Sequence, residues 1–303
     1  MRKEFGMPTT LTDKDWNIIL GRIADGKCTP FLGAGASESR LPLGGDIAEK
    51  WVTKFDCPLR GCRDLPRVAQ YLAVNNGDPT FPKEEIVREF FSNVQLPDFG
   101  QPDEPHRVLA NLPLPVYLTT NYDHFMVSAL QAHNKNPKRQ LCRWNKVLQK
   151  MEKSIFDDGF QPTSEEPVVF HLHGYYQNVD SLVLTEDDYL DFMVNLGDDQ
   201  QKLLPLRIEE SFTGSSLLFV GYSLSDWDFR VLFRGIVMGK EQSLRRLSVA
   251  VQLPPEEKQM EEYWEDYFKK ANMKIYWGKA RKFAAELNRR WTEYKSERNN
   301  HGN

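Results

Sequence analysis

Cysteine is scarce in this 303-residue chain, which has only four. Cys28, Cys57, Cys62 and Cys142 form no Cys-x-x-Cys pair. A zinc ribbon needs two such pairs, because four thiolates must converge on one tetrahedral ion. The spacing therefore argues against a structural zinc site, and the sparse thiols suit a reducing cytoplasm. Long apolar runs are missing too. No stretch approaches the roughly 20 residues of a membrane span, and MRKEFGMPTT at the start holds no apolar core of signal-peptide length. A cytoplasmic protein with no membrane attachment is expected. Positive charge is not in surplus, with 39 Lys and Arg against 43 Asp and Glu. A general nucleic-acid binder carries a basic excess, so nucleic acid is expected to matter only indirectly. Repeats and low-complexity tracts are absent.

What is present suits a packed α/β protein. Hydrophobic residues make up 40% and charged residues 27%, enough for a sizeable core. Six short apolar, β-rich runs read as buried strands: 29–32, 116–119, 168–172, 217–220, 247–251 and 274–277. Helical patterning separates them, which predicts a Rossmann-like parallel sheet of about six strands with helices on both faces. Residues 13–24 read as a helix capped by Thr12. The stretch 44–112 lacks strand signals and reads as a helical insertion broken by Pro58, Pro66, Pro79, Pro82, Pro97 and Pro102. Residues 185–212 read as helical. A C-terminal helix over 279–298 places Ala280, Phe283, Ala284, Leu287, Trp291 and Tyr294 on one stripe. The whole of 1–303 is expected to be one domain. A basic run over 135–150, with Lys135, Lys138, Arg139, Arg143, Lys146 and Lys150, reads as a solvated loop and helix face.

Four motifs stand at strand ends. Phe31-Leu32-Gly33-Ala34-Gly35-Ala36-Ser37 is a glycine turn whose backbone amides can approach a pyrophosphate. Glu38 occupies the place of the third glycine of the dinucleotide fingerprint. Upstream, Gly21 and Gly26-Lys27 have P-loop spacing, but Cys28 replaces the magnesium-binding hydroxyl and the segment precedes its strand, so a triphosphatase is rejected. Val116-Tyr117-Leu118-Thr119-Thr120-Asn121-Tyr122-Asp123 brings polar groups to a strand's C-terminal edge. There Asn121 can hold a ribose hydroxyl or a water, and Asp123 either accepts from a hydroxyl or caps the next helix. Val168-Val169-Phe170-His171-Leu172-His173-Gly174 puts His171 and His173 two apart, on one face of a strand. His173 lies at the strand end, where an imidazole can take a proton. His171 reads as a packed core residue. Leu218-Phe219-Val220-Gly221-Tyr222-Ser223-Leu224-Ser225-Asp226 supplies Gly221 and Ser223 toward phosphate or ribose and Asp226 as a helix cap. It resembles a nucleophile elbow, except that Ser225 replaces the second glycine.

Taken together these residues resemble the sirtuin family. Gly33-Ala34-Gly35-Ala36-Ser37 matches its Gly-Ala-Gly-x-Ser, Thr119-Thr120-Asn121-Tyr122-Asp123 is similar to its Thr-Gln-Asn-x-Asp, and Leu172-His173-Gly174 matches its His-Gly. Gly221-Tyr222-Ser223 stands in place of its Gly-Thr-Ser. The resemblance implies NAD as substrate, held by Gly33, Ala34, Gly35, Ser37, Thr120, Gly221, Ser223 and Asp226, with Asn121, His173 and Asp123 as the catalytic group. Two departures count against deacetylation. No cysteine lies in 175–216, where deacetylating sirtuins carry their zinc module, and Arg40-Leu41-Pro42-Leu43-Gly44 replaces their Asp-Phe-Arg segment. The pattern is similar to bacterial sirtuin-like effectors that deplete NAD in anti-phage defence. That implies an NAD hydrolase without a metal, acting as an oligomer or beside a partner such as a short Argonaute-type protein or a ring-forming motor ATPase. The alternatives are a non-catalytic NAD or ADP-ribose sensor in a larger complex and a metal-dependent hydrolase built on His171 and His173. Assembly is expected to control activity through the 44–112 insertion or through the stripe carrying Phe283, Leu287 and Trp291.

Overall fold

A computed structural model describes residues 11–151, 153–198, 203–223, 246–255 and 257–301. Seven parallel strands form one sheet: β1 Cys28–Leu32, β2 Val116–Thr119, β3 Lys138–Leu141, β4 Val168–His171, β5 Ser216–Val220, β6 Ser248–Gln252 and β7 Met273–Trp277. Their order is β3-β4-β2-β1-β5-β6-β7. The α/β class and the six expected strands stand, and one strand is added. β3 falls inside the basic run that sequence reading took for solvated loop and helix. Charge disguised it. An edge strand pairs on one side only, so it tolerates Lys138 and Arg139, which a central strand would not. The run is not uniformly solvated either, since Lys135 Nζ donates to the Leu112 carbonyl at 2.6 Å.

Both sheet faces are covered. Alternation along each strand sends Leu32, Tyr117, Val169, Val220 and Val249 to one core and Phe31, Leu118, Phe170, Phe219 and Ala250 to the other. The first face receives α1 Asp13–Ala24, whose Thr12 and Asp15 form a capping box. A third core gathers the insertion helices α2 Gly44–Lys54, α3 Leu65–Asn76 and α4 Phe81–Ile86. α4 runs on into a wider helical turn, Val87–Phe91. Two of the prolines read as breakers instead start helices: Pro66 and Pro82 stand in the first turn of α3 and α4, where the missing N–H would have had no partner. The insertion is not one packing unit. Its last helix, α5 Pro105–Ala110, joins the first-face core.

After β2 comes α6 Phe125–Ala132, and after β3 comes α7 Lys146–Met151. Among the described residues, the expected helical stretch 185–212 contains α8 Glu186–Asp198 and α9 Leu206–Thr213, with Pro205 opening the latter. Lys83 of α4 and Asp188 of α8 form an ion pair at 2.7 Å, with side chains only 11% and 12% exposed. α10 Lys258–Lys269 precedes β7, and α11 Ala280–His301 closes the chain. No described helix is long and apolar enough to cross a membrane.

The α11 stripe faces inward. Ala280, Phe283, Ala284, Leu287 and Trp291 are buried in the first-face core, with Tyr294 packed at its edge. It is therefore core and not a free docking surface. Leu287→Ala is expected to cost roughly 2–5 kcal/mol through lost transfer energy and a residual cavity, read by chemical denaturation. Unchanged stability with an altered oligomeric state would return the stripe to the role of interface.

Candidate functional site

One register row sets the site. Leu141, His171, Thr119, Leu32, Val220, Val251 and Tyr276 stand side by side across the sheet. The segments that follow β4, β2, β1 and β5 therefore leave neighbouring strands at nearly the same height. These four segments carry the four motifs, gathered at the carboxyl edge, where open α/β sheets bind ligands.

The β1 and β5 turns touch backbone to backbone. Gly221 has φ +83°, and a Cβ there would lie 2.2 Å from the Ala36 nitrogen. A Cβ on Gly33 would meet the Gly221 carbonyl at 2.8 Å, and one on Gly35 the Gly221 Cα at 3.0 Å. Gly33 N donates to Val220 O and Gly35 N to Gly221 O. Ala36 N donates to Gly33 O and Ser37 N to Ala34 O. Four amides of the expected pyrophosphate cradle are thus engaged within the protein. Tyr222 Oη gives its proton to the Leu32 carbonyl at 3.0 Å, so the Thr120 hydroxyl, 2.8 Å away, must be the donor to Tyr222.

Asn121 is fixed at the centre. Its Nδ2 donates to Gly33 O at 3.0 Å and to Ser37 Oγ at 3.2 Å. Ser37 Oγ has one proton and gives it to Asp123 Oδ2 at 2.8 Å, so toward Asn121 it can only accept. Both acceptors demand the NH2 end of the amide, which fixes its orientation. Oδ1 of Asn121 has no protein partner among the described residues and is not sealed from solvent. Asp123 accepts that hydroxyl proton, and its Oδ1 also accepts from Phe125 N, the first residue of α6, at 2.9 Å, although the N-cap position itself is held by His124. Behind it, His106 Nδ1 pairs with Glu104 Oε1 at 2.8 Å. Burial pushes the His106 imidazole down, but the Glu104 hydrogen bond and charge, helped by Asp123, outweigh it and raise the pKa.

The two motif histidines do not share surroundings. β4 ends at His171 and the chain bends over Leu172 and His173. His171 Nδ1 lies 3.2 Å from the Asn121 carbonyl, its ring meets Tyr175, and its Nε2 is buried with no hydrogen-bond partner among the described residues. His173 is 2% exposed and lies edge-on to Tyr189 and Phe192 of α8. Gly174, at φ +92°, lets the bend pass Ser181, whose carbonyl would sit 2.2 Å from a Cβ. Among the described residues no three His, Cys, Asp or Glu side chains group as metal ligands. Ser223 is half-buried at the end of the β5 turn. Ser225 and Asp226 lie outside the described residues. Sequence reading missed Tyr222, Ser181 and Arg139 as site-builders. Tyr222 stood within a motif and could have been found. Arg139, whose guanidinium lies 3.7 Å over the Tyr175 ring, gave no signal beyond charge.

Burial pushes His173 down to about 3, and burial followed by the Arg139 charge does the same to His171. Both rings are neutral in the folded protein at neutral pH, whereas an unfolded imidazole binds its proton near pH 6.5. The unfolded state therefore takes up more protons as pH falls from about 6.5 toward 3, so stability is complete above 6.5 and declines below it. The melting temperature is expected to drop from pH 6.5 to 5, before most carboxylates titrate, and either His171→Gln or His173→Gln should flatten that drop. A flat wild-type profile would contradict the buried, neutral pair. Gly77 and Gly221 both sit at positive φ, but nothing lies near Gly77. Gly77→Ala should cost about 1 kcal/mol, and Gly221→Ala severalfold more, measured by the same denaturation. Equal costs would mean that the β1–β5 contact is soft.

A family model described as "SIR2-like domain" matches residues 115–272. Among curated proteins, "NAD(+) hydrolase ThsA" of Enterococcus faecium is 26% identical over 220 residues, which covers 70% of this chain and 41% of that protein. The protein of the same name from Cytobacillus dafuensis is 27% identical over 235 residues, covering 76% and 43%. The chain thus spans about two fifths of the length of these relatives. A solved structure described as "Structural Basis for the Mechanism and Regulation of Sir2 Enzymes" aligns with 94% of this chain and 100% of that one, at 13% identity and a TM-score of 0.44.

Proposed function

Because the chain belongs to the SIR2-like domain family, we propose that it hydrolyses NAD at the nicotinamide–ribose bond. One observation carries the reading: the Asn121 amide is locked so that Oδ1 is presented outward as an acceptor. Such an acceptor suits a ribose hydroxyl or an attacking water. The relatives named as NAD(+) hydrolases support the choice of substrate.

The chemistry asks little of the protein. The C1′–N bond breaks and its electron pair goes to the pyridinium, so nicotinamide leaves neutral. The ribose carbon passes through an oxocarbenium-like state, as in sugar hydrolysis. Water adds to C1′, and its proton goes to His173. The products are ADP-ribose, nicotinamide and a proton. As the new C–O bond forms, the water becomes strongly acidic, so a weakly basic, neutral imidazole suffices. His173 must then be uncovered from Tyr189 and Phe192 when substrate is bound. Asn121 positions the water or ribose, Asp123 holds Ser37 and thereby Asn121, and Gly33, Ala34, Gly35, Ser37, Thr120, Gly221 and Ser223 surround the dinucleotide. No step needs a metal. Depletion of NAD in anti-phage defence, controlled by assembly with itself or a partner, is the biological setting we assign.

Asn121→Ala and His173→Ala are expected to lower nicotinamide release by at least about 10²-fold, with circular dichroism unchanged. Asp123→Asn should also lower turnover, because an amide at that position no longer requires the Ser37 proton. Wild-type activity in a folded Asn121→Ala protein would refute the assignment. Tight NAD binding by the wild type with no nicotinamide release would favour the sensor alternative instead. Loss of activity with chelator, restored by zinc, would favour the metal hydrolase.

A further inference from the structure

Behind Asn121 lies a buried ion pair that the reaction as described does not use. Asp123 is buried, and its two oxygens accept from neutral donors, the Ser37 hydroxyl and the Phe125 amide. Among the described residues no Lys or Arg pairs with it. A carboxylate so placed needs a positive charge nearby, because an uncompensated buried ion is strongly disfavoured. His106 can supply it. This residue stands in the first turn of α5, buried, with its ring edge-on to Phe125 at 5.8 Å. Phe125 is the residue whose amide holds Asp123 Oδ1.

Glu104 engages the ring from its other side. Its Oε1 lies 2.8 Å from His106 Nδ1, and its Oε2 accepts from Arg107 N at 2.6 Å. A carboxylate oxygen only accepts, so Nδ1 carries a proton. Burial disfavours a second proton on the ring, but the Glu104 hydrogen bond and charge, with the Asp123 charge, favour it more. The nearest charge on α11 is occupied elsewhere: Arg281, within electrostatic reach of Glu104, grips Asp103 through Nε at 3.0 Å and Nη2 at 2.6 Å.

A buried ion pair is a weak stabiliser, since desolvation offsets much of the attraction. The place of this one gives it another role. Were the Asp123 carboxyl neutral, its O–H could donate to Ser37 Oγ, and the Ser37 proton would turn toward Asn121. A proton there opposes the Asn121 NH2 group, which the Gly33 carbonyl holds in that direction. One of the two contacts that turn Oδ1 outward would be lost. We propose that His106 is a positioning residue for NAD cleavage: paired with Glu104 as an imidazolium, it keeps Asp123 a carboxylate and thereby keeps Asn121 Oδ1 facing outward. The kinetic part rests on the reading of the site as NAD-cleaving, whereas the orientation of Asn121 can be observed without substrate.

NMR on the full chain, labelled with nitrogen-15 in the histidine rings and asparagine side chains, reads both ends of this series. At neutral pH the wild-type His106 ring should show two protonated nitrogens. The Asn121 amide protons, assigned by their absence in Asn121→Ala, should be sharp and protected from exchange. His106→Gln keeps a donor for Glu104 and removes the charge. It should shift or broaden the Asn121 signals and lower kcat for nicotinamide release by up to about 100-fold, with less change in KM. Glu104→Gln should act in the same direction by a smaller factor. In an Asp123→Asn background His106→Gln should lower turnover no further, because its effect passes through Asp123, whereas a merely structural role would add its own loss. A singly protonated His106 ring in the wild type overturns the proposal, as do unmoved Asn121 signals in folded His106→Gln or additive losses in the double variant. If His106→Gln does not fold, the wild-type spectrum and Glu104→Gln decide by the same criteria. A doubly protonated ring and displaced Asn121 signals in a protein that leaves NAD uncleaved uphold the positioning and overturn the hydrolase reading. NAD cleavage with wild-type kcat in folded His106→Gln upholds the hydrolase reading and overturns the proposal.

Discussion

The contact that everything else at the site depends on is backbone against backbone, where Gly221 at the end of β5 meets the turn Gly33–Ala36 at the end of β1. No side chain fits between them, and the hydrogen bond from Gly35 N to Gly221 O joins the two turns directly. Because the turns cannot separate, Tyr222 lands where its hydroxyl reaches the Leu32 carbonyl, and Thr120 completes the connection from β2. The Gly33 carbonyl is held in the same way, and it is one of the two acceptors that fix the Asn121 amide. A glycine contact between two strands thus sets the direction of a side chain on a third. The turn amides are consumed in making this frame, so the glycines here serve packing first.

The two histidines of the β4 motif show how little sequence spacing says about chemical surroundings. They stand two residues apart, yet one sits over the Asn121 carbonyl beside Tyr175 and Arg139, and the other lies between two aromatic rings of α8. Strand geometry would have put them on one face. The bend that begins after His171, made possible by Gly174 passing Ser181, takes His173 out of that alternation.

Much of this architecture was legible in the residues. Continuous apolar runs separated by helical periodicity announced six buried parallel strands, because a strand covered on both faces has no polar side to show. Thr12 marked the start of α1 to the residue, and the structure adds Asp15 as the other half of its capping box. The β3 strand was not legible, because an edge strand half-exposed to solvent carries the same lysines and arginines as a loop. Pro66 and Pro82 misled in the opposite direction, since proline at a first helical turn begins what it interrupts elsewhere. At the site, strand-end placement picked out Asn121, Asp123 and Ser37, which do come together. What no spacing encodes is the partner brought by the tertiary fold: the aromatic enclosure of His173 comes from α8, and the Arg139 guanidinium over Tyr175 comes from an unforeseen strand.

The Lys83–Asp188 pair has a mechanical consequence. Asp188 is followed in the chain by Tyr189, so the helix that bears on the insertion also roofs the second histidine of the β4 motif. Lys83 belongs to α4, which continues into the Val87–Phe91 turn. Removing one partner of such a shielded pair costs about 3–5 kcal/mol, and the Arg67–Glu186 ion pair and the Gln70–Asp187 hydrogen bonds tie α3 to the same helix. The roof over His173 and the insertion helices α3 and α4 are thus joined by several polar links. A substitution that loosens those links is expected to loosen the enclosure of the His173 imidazole as well.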